Sequence, residues 1–482
     1  MRGRLSRIDR VLAVLLVVTV VEALAWCFAV PPMQGADELE HYAYVARIVE
    51  DHSIPWLGGT SPQKGYAYSS EEEVASRCAG LFGLEQNLSA RAPGSVIDEH
   101  ICYHQLAGLP GRARGDVGAT SADRNPPAYY LYEAVPYLLT RHTTLFTRVF
   151  VMRVANILPL AALVVFVWLL AGELLCPLPR GPALRALATA AVVFNPQLMD
   201  ITAEVNPDVF LSATFAAGLW LSVVVVRRGL TRGRLAWLIA LCALAGLTHG
   251  RGLALLAPAA LSVSIALWRT HRPRSRPAIA GVVAGALAAI AVGCYLLLRY
   301  AEPGGVTLTR TGDFLSYIWQ FYLPKLGFMA PSIHPGYGVR QVFIERFLGT
   351  FGLLETHFQP GTFSTLNTLA DVAAVMTLIA LIVHRRRLRR ALAPAAVLIA
   401  AALASLLLLH VVAFHELQGN PGDPVITGRY LLPLLALYGI GIALAVSWLP
   451  RVLSAVLAGA VVAGLAVLQL SSLGLILERF YA

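Results

Sequence analysis

Long apolar runs alternate with short polar or arginine-bearing stretches along most of the chain, and eleven runs are candidates for helices that cross a bilayer. They occupy 11–30, 152–175, 184–199, 209–226, 235–248, 252–268, 278–299, 366–383, 391–413, 430–448 and 453–477. A hydrocarbon core of ~30 Å takes about 20 apolar residues per helix. The runs 184–199 and 235–248 are short for this and are expected to begin in the interface. Two polar blocks, 31–151 and 300–365, interrupt the alternation as large loops. The pattern predicts a single all-α polytopic membrane domain over 1–482, with about 11 transmembrane helices.

Composition agrees: 57% hydrophobic residues, 14% charged residues and a mean hydropathy of +0.65 exclude a soluble domain. The net charge of +10 raises the question of nucleic acid, but the distribution of charge answers it. Twenty of the 38 basic residues sit in the N-terminal tail and in alternate loops, accompanied there by only Asp9 and Glu173. By the positive-inside rule the N-terminus is then cytoplasmic and both large loops lie on the extracytoplasmic face of the inner (plasma) membrane. Arg2 to Arg10 with the first run can be read as a signal peptide. The run is too long for that and is expected to be a retained helix.

The polar block 31–151 opens on Gly35-Ala36-Asp37-Glu38-Leu39-Glu40-His41-Tyr42, directly after the first span. As a helix, this stretch sets Asp37, Glu38 and His41 on one side. An acid pair there suits an active site at a membrane surface; equally, two acids suit the first turn of any surface helix. Farther along, Glu71-Glu72-Glu73 reads as a solvated face, and the Gly- and Arg-rich stretch 108–124 as mobile. Cys78 and Cys102 share this loop, and an oxidising exterior favours a disulfide between them over two free thiols. Arg124-Asn125-Pro126-Pro127-Ala128-Tyr129-Tyr130 starts a tyrosine-rich stretch too short to span, which would be an interfacial helix with its tyrosines in the aromatic belt. A span here would also reverse the orientation of every later Arg-rich loop.

Later loops add Asp200, Glu204 and Asp208, three acids expected to face outward, with Asp208 better read as an N-cap. His249 and Arg251 fall in a tight turn at the membrane surface, where an arginine either binds phosphate or snorkels. Lys325 lies in an aromatic-rich part of 300–365, and Arg429-Tyr430 at the mouth of the tenth span. Glu22, inside the first span, is an intramembrane acid. P-loop, Gly-x-Ser-x-Gly and Cys-x-x-Cys signatures are absent, and metal ligands show no repeated spacing.

With these stretches in view, the chain resembles the GT-C membrane glycosyltransferases. The resemblance rests on the acid pair Asp37-Glu38 after the first span, the first loop with two interfacial helices, and the Pro-Pro-x-Tyr-Tyr start of the second, Pro126 to Tyr130. Asp37-Glu38-x-x-His41, Phe347 to Gly352 and Gly428-Arg429-Tyr430-x-x-Pro433 resemble, more closely, a family of bacterial GT-C-like integral membrane proteins. It departs from the motif where proline usually follows the acid pair: here Leu39-Glu40 adds a third acid.

The resemblance implies an enzyme that takes a sugar from a polyprenyl-phosphate donor to a glycan, lipid or protein acceptor of the cell envelope, outside the cytoplasmic membrane. It implies Asp37 as general base, with Glu38 the other catalytic candidate. His41, Asn125, Tyr129, Asp208, His249, Lys325 and Tyr430 are then expected to bind substrate, and Arg429 to hold the lipid phosphate with help from Arg251 or Lys325. No cofactor is called for; a divalent cation held by Asp37 with Asp200, Glu204 or Asp208 stays open. Two rivals remain: a transporter or flippase of lipid-linked sugars, which needs charges near mid-membrane, and a non-catalytic scaffold of envelope assembly, which tolerates loss of Asp37.

Overall fold

The structure is a computed structural model, and it describes residues 2–58, 68–81, 84, 104–271, 311–332, 338–353, 355–388, 391–419 and 426–482. Eight of its helical stretches are long and apolar enough to cross a membrane: Arg10–Ala29, Leu145–Leu175, Asp208–Arg228, Gly250–Thr270, Pro360–Val383, Leu392–Gln418, Gly428–Ser447 and Arg451–Tyr481. Two shorter helices, Gly181–Val193 and Arg232–Thr248, coincide with the runs expected to be short. The run 278–299 lies outside the described residues. The chain is an all-α polytopic membrane protein, with one small antiparallel pairing in which Thr350 faces His357 and Phe351 faces Thr356.

Burial sorts the helices into layers. Asp208–Arg228 is apolar all round and buried along nearly its whole length, as a helix at the centre of a bundle must be. It packs against the helices Ile157–Leu175, Arg232–Thr248, Leu256–His271 and Leu392–Gly419. Pro360–Val383 and Arg451–Tyr481, by contrast, leave Leu369, Val372, Val375, Val456, Val467 and Leu470 exposed. Lipid is as apolar as these side chains, so such a face is at home against acyl chains. The expected span from 152 begins earlier, at Leu145, and is broken at Asn156 into Leu145–Ala155 and Ile157–Leu175.

The first loop folds over the mouth of this bundle. Its helix Glu38–Glu50 lies against Ala128–Leu139, and Ser70–Cys78 packs near Leu145–Ala155. The tyrosine-rich helix is turned the other way round from its expected orientation. Tyr129, Tyr130 and Tyr137 are fully buried, whereas Leu131, Val135, Leu138 and Leu139 are exposed. The hydroxyls account for this, since each finds a protein partner inward: Tyr130 with His41, Tyr129 with Asn156, and Tyr137 donating to Glu50 Oε1 at 3.2 Å.

Two further expectations for this loop are corrected. Glu71 and Glu72 are buried rather than solvated. Glu72 closes a capping box with Ser69, and burial pushes its carboxyl up to about 8. Glu71 takes Arg148 at 2.5 Å and Arg114 at 3.2 Å. The stretch 108–124 is tied down by the Arg114–Glu71 pair, together with Arg47–Asp123 at 3.1 Å and Asp116 accepting from the Ser70 amide at 2.9 Å. Cys78 is disulfide-bonded; its expected partner Cys102 lies outside the described residues.

Candidate functional site

The two acids that adjoin in sequence part company in space. Asp37 adopts a left-handed backbone (φ 61°, ψ 13°) before the helix Glu38–Glu50, a conformation that Asp tolerates better than most residues. That kink leaves the Asp37 side chain half exposed, at 49%, and sends the neighbouring carboxylate inward. Glu38 is fully buried and saturated. It accepts from Arg153 Nε at 2.6 Å and Nη2 at 2.5 Å, from the Met33 amide at 2.8 Å and from the Val205 amide at 3.0 Å.

Asp37 faces an arginine from the far end of the chain: Arg429 Nη2 donates to Asp37 Oδ2 at 2.5 Å. Burial alone would raise the Asp37 carboxyl, but the Arg429 guanidinium and, after it, Arg251 outweigh that and hold it below its ordinary range. Arg429 is delivered by the turn Gly428–Leu434, whose first residue sits hard against another backbone. A Cβ on Gly428 would lie 2.1 Å from the Val342 carbonyl oxygen and 2.7 Å from the Phe347 amide nitrogen. Glycine is required there by space.

Beside Arg429 lies a second, partly buried guanidinium. Arg251 Nη2 donates to Asp208 Oδ1, and the Arg251 Nε and backbone amide both donate to His249 Nδ1, at 3.3 and 3.1 Å. Tyr430 stands between the two arginines, its ring centroid 4.2 Å from Arg251 Cζ and 5.3 Å from Arg429 Cζ. Three guanidinium nitrogens, Arg429 Nε and Nη1 and Arg251 Nη1, are buried and find no hydrogen-bond partner among the described residues. Buried donors left in that state are costly, and an anion with several acceptor oxygens would satisfy them.

The other side of Asp37 is neutral and aromatic. His41 Nδ1 shares a hydrogen bond of 2.8 Å with the Tyr130 hydroxyl, which also accepts from Asn125 Nδ2 at 3.0 Å. Tyr44 stacks flat on Tyr130 at 3.7 Å. Burial depresses the His41 imidazole to about 4 and holds His249 well below its ordinary value, so both are neutral near pH 7.

The structure therefore gathers Asp37, Glu38, His41, Asn125, Asp208, His249, Arg251, Arg429 and Tyr430 in one neighbourhood. Tyr129 is at its edge, fully buried, its hydroxyl within hydrogen-bond distance of Asn156. Lys325 is exposed beyond the helix Thr311–Tyr322, and no hydrogen bond or ion pair among the described residues ties it to the cluster. Asp208 is the first helical residue after an N-cap at Pro207 and pairs with Arg251 rather than capping.

Asp200 and Glu204, expected to face outward, are buried beneath the site. Asp200 accepts from the Gly352 amide at 3.1 Å and from Gln197 Nε2 at 3.2 Å, and burial pushes both carboxyls up. Among the described residues no three His, Cys, Asp or Glu side chains converge on a point where a metal would be held. Sequence reasoning had no signal for Arg153, the partner that takes Glu38 out of the site, because an arginine at the head of an apolar run reads as an end-of-helix charge.

Comparison with known proteins adds the following. No curated protein matches the chain. Similar solved structures include an Archaeoglobus fulgidus oligosaccharyltransferase in the apo form, with 12% identity, a TM-score of 0.48, and 97% of this chain against 56% of that one covered. The oligosaccharyltransferase AglB from Archaeoglobus fulgidus in complex with an inhibitory peptide and a dolichol-phosphate has 12% identity, a TM-score of 0.47, and 97% and 56% covered. ArnT from Cupriavidus metallidurans bound to undecaprenyl phosphate has 14% identity, a TM-score of 0.42, and 93% and 63% covered. The chain thus spans less than two thirds of the length of each. A family model described as "Predicted membrane protein (DUF2142)" matches residues 21–438, and the chain belongs to that family.

Proposed function

We propose that the chain is a GT-C-type membrane glycosyltransferase that moves a sugar from a polyprenyl-phosphate donor to a hydroxyl of a cell-envelope acceptor, on the extracytoplasmic face. One observation carries this reading: a half-exposed carboxylate is bracketed by the guanidiniums of Arg429 and Arg251, which keep three buried nitrogens without partners among the described residues. Glycosyl transfer needs a base within reach of the attacking hydroxyl and positive charge on the departing phosphate; this cluster supplies both at one point.

In the reaction, the acceptor oxygen attacks the anomeric carbon, the bond from that carbon to the phosphate oxygen breaks, and Asp37 takes the proton from the acceptor. The polyprenyl phosphate leaves with the bonding pair, its charge held by Arg429 and Arg251. A planar guanidinium suits phosphate oxygens through paired N–H groups. Glu38 is assigned to anchoring: with four bonds already made to its two oxygens, it has no capacity left for a substrate proton. His41, held by Tyr130, borders the site as a neutral hydrogen-bonding group.

The test is transfer from radiolabelled polyprenyl-phosphate sugars in membranes, comparing the parent chain with Asp37→Asn. Loss of transfer by 10²-fold or more, roughly the contribution of a general base, with the variant folded and inserted, supports the assignment. Full turnover in Asp37→Asn removes it. No turnover by the parent with any donor transfers weight to a transporter or a scaffold.

A further inference from the structure

Asp37, paired with Arg429, also lines a cavity of 240 Å³ whose wall includes Gln34, Glu40, Tyr68, Ser76 and Leu353 but neither Arg429 nor Arg251. Among the described residues its wall holds no lysine, arginine or histidine. Two polar atoms in the wall are buried without a hydrogen-bond partner, Ser76 Oγ and Gln34 Oε1; their residues are 1% and 2% exposed. The Gln34 amide is fixed by its Nε2, which donates to the Met33 and Leu81 carbonyls at 3.3 Å each. Such orphaned groups call for an occupant that can donate and accept hydrogen bonds.

From this we infer that the cavity is the acceptor subsite and that it takes a neutral, polyhydroxylated group the size of one sugar ring, not an anionic one. The inference rests on the reading of Asp37 as base and adds the direction and chemistry of the acceptor. A volume of 240 Å³ holds on the order of eight waters, comparable with a single pyranose. Hydroxyls of such a ring donate to Gln34 Oε1 and to the Asp37 and Glu40 carboxyls. Tyr68 and Leu353 offer apolar surface to its C–H face. An anionic acceptor meets the Asp37 carboxylate with no cation in the wall among the described residues, and like charges at such range repel. The two substrates then reach Asp37 by separate routes, phosphate from the arginines and acceptor hydroxyl from the cavity.

Saturation-transfer NMR on the full chain in nanodiscs tests this without requiring turnover. The probes are the methyl glycosides of glucose, galactose and mannose, and methyl glucuronide, which differs from methyl glucoside only at its carboxylate. At least one neutral glycoside is expected to show transfer, with methyl glucuronide about tenfold weaker or more. Ser76→Phe and, from a separate segment of the wall, Leu353→Trp each fill the cavity and are expected to abolish the signal; a melting curve shows which variant is folded. No transfer to any neutral glycoside, equal binding of methyl glucuronide and methyl glucoside, or an undiminished signal in a folded filled variant overturns the subsite. Retention of sugar transfer by Asp37→Asn in the radiolabel assay would instead overturn the base, leaving the cavity result to stand by itself.

Discussion

Arg153 holds Glu38 through two nitrogens, at 2.6 and 2.5 Å, across 115 residues of sequence, and this pairing divides the labour of two adjacent acids. Glu38 becomes the post on which the site is built, and Asp37 stays available to chemistry. Removing one partner of a buried ion pair typically costs about 3–5 kcal/mol because the other charge is left uncompensated. Glu38→Gln is therefore expected to lower the melting temperature sharply, and Asp37→Asn, at a half-exposed position, to change it little. Fluorescence-detected thermal melting of the two variants in the same detergent decides it; equal melting temperatures would refute the division of roles.

The turn that presents Arg429 has no room for a side chain at Gly428. The atoms in the way are backbone atoms of the segment 342–347, which cannot swing aside as a flexible side chain would. Gly428→Ala is expected to displace Arg429 and to cut sugar transfer by 10²-fold or more, roughly the scale of losing one charge-stabilising donor. Gly441→Ala, where a Cβ meets open space, serves as the control. Wild-type transfer in Gly428→Ala would show that the position of Arg429 is not critical.

Much of this was legible in the sequence, and the reason is physical. A membrane span has few ways to be written, so the run lengths already located the long apolar helices among the described residues. Asp37 and Arg429, 392 residues apart, stood out by their places at the ends of spans and by the motifs that resemble the GT-C enzymes. What stayed hidden were pairings between segments. Nothing local shows that Glu71 and Glu72 turn inward toward Arg148 and Ser69, or that Tyr129, Tyr130 and Tyr137 turn away from the lipid. The cavity is assembled from three separate segments, with Gln34, Ser76 and Leu353 each unremarkable alone.

Glu40 ties stability to pH. Burial, then the proximity of Asp37 and Asp123, pushes its carboxyl from 4.5 up to about 7. Between these values the folded chain keeps a proton that the unfolded chain has released, so folding loses stability as pH rises through that window and does not regain it above. Glu40→Gln cannot titrate and is expected to melt higher than the parent at pH 8, with the gap closing by pH 4.5. A constant offset between the two across that range would sink the assignment.

The ion pair between Arg429 and Asp37 also predicts how the donor enters. Arg429 spends one N–H on Asp37 and keeps Nε and Nη1 without partners among the described residues. A lipid phosphate that takes the guanidinium must compete with Asp37, and in doing so leaves that carboxylate free to accept a proton. Asp37→Asn removes the competitor and a negative charge near the phosphate. A partly exposed ion pair is worth up to about 1 kcal/mol, so the variant is expected to bind undecaprenyl phosphate about fivefold more tightly while losing transfer. Arg429→Gln is expected to lose both binding and transfer. Microscale thermophoresis with undecaprenyl phosphate on the parent and both variants separates these outcomes. Weaker phosphate binding in Asp37→Asn would mean that Asp37 helps hold the phosphate, through a bound cation or a protonated carboxyl, and the competition would have to be abandoned.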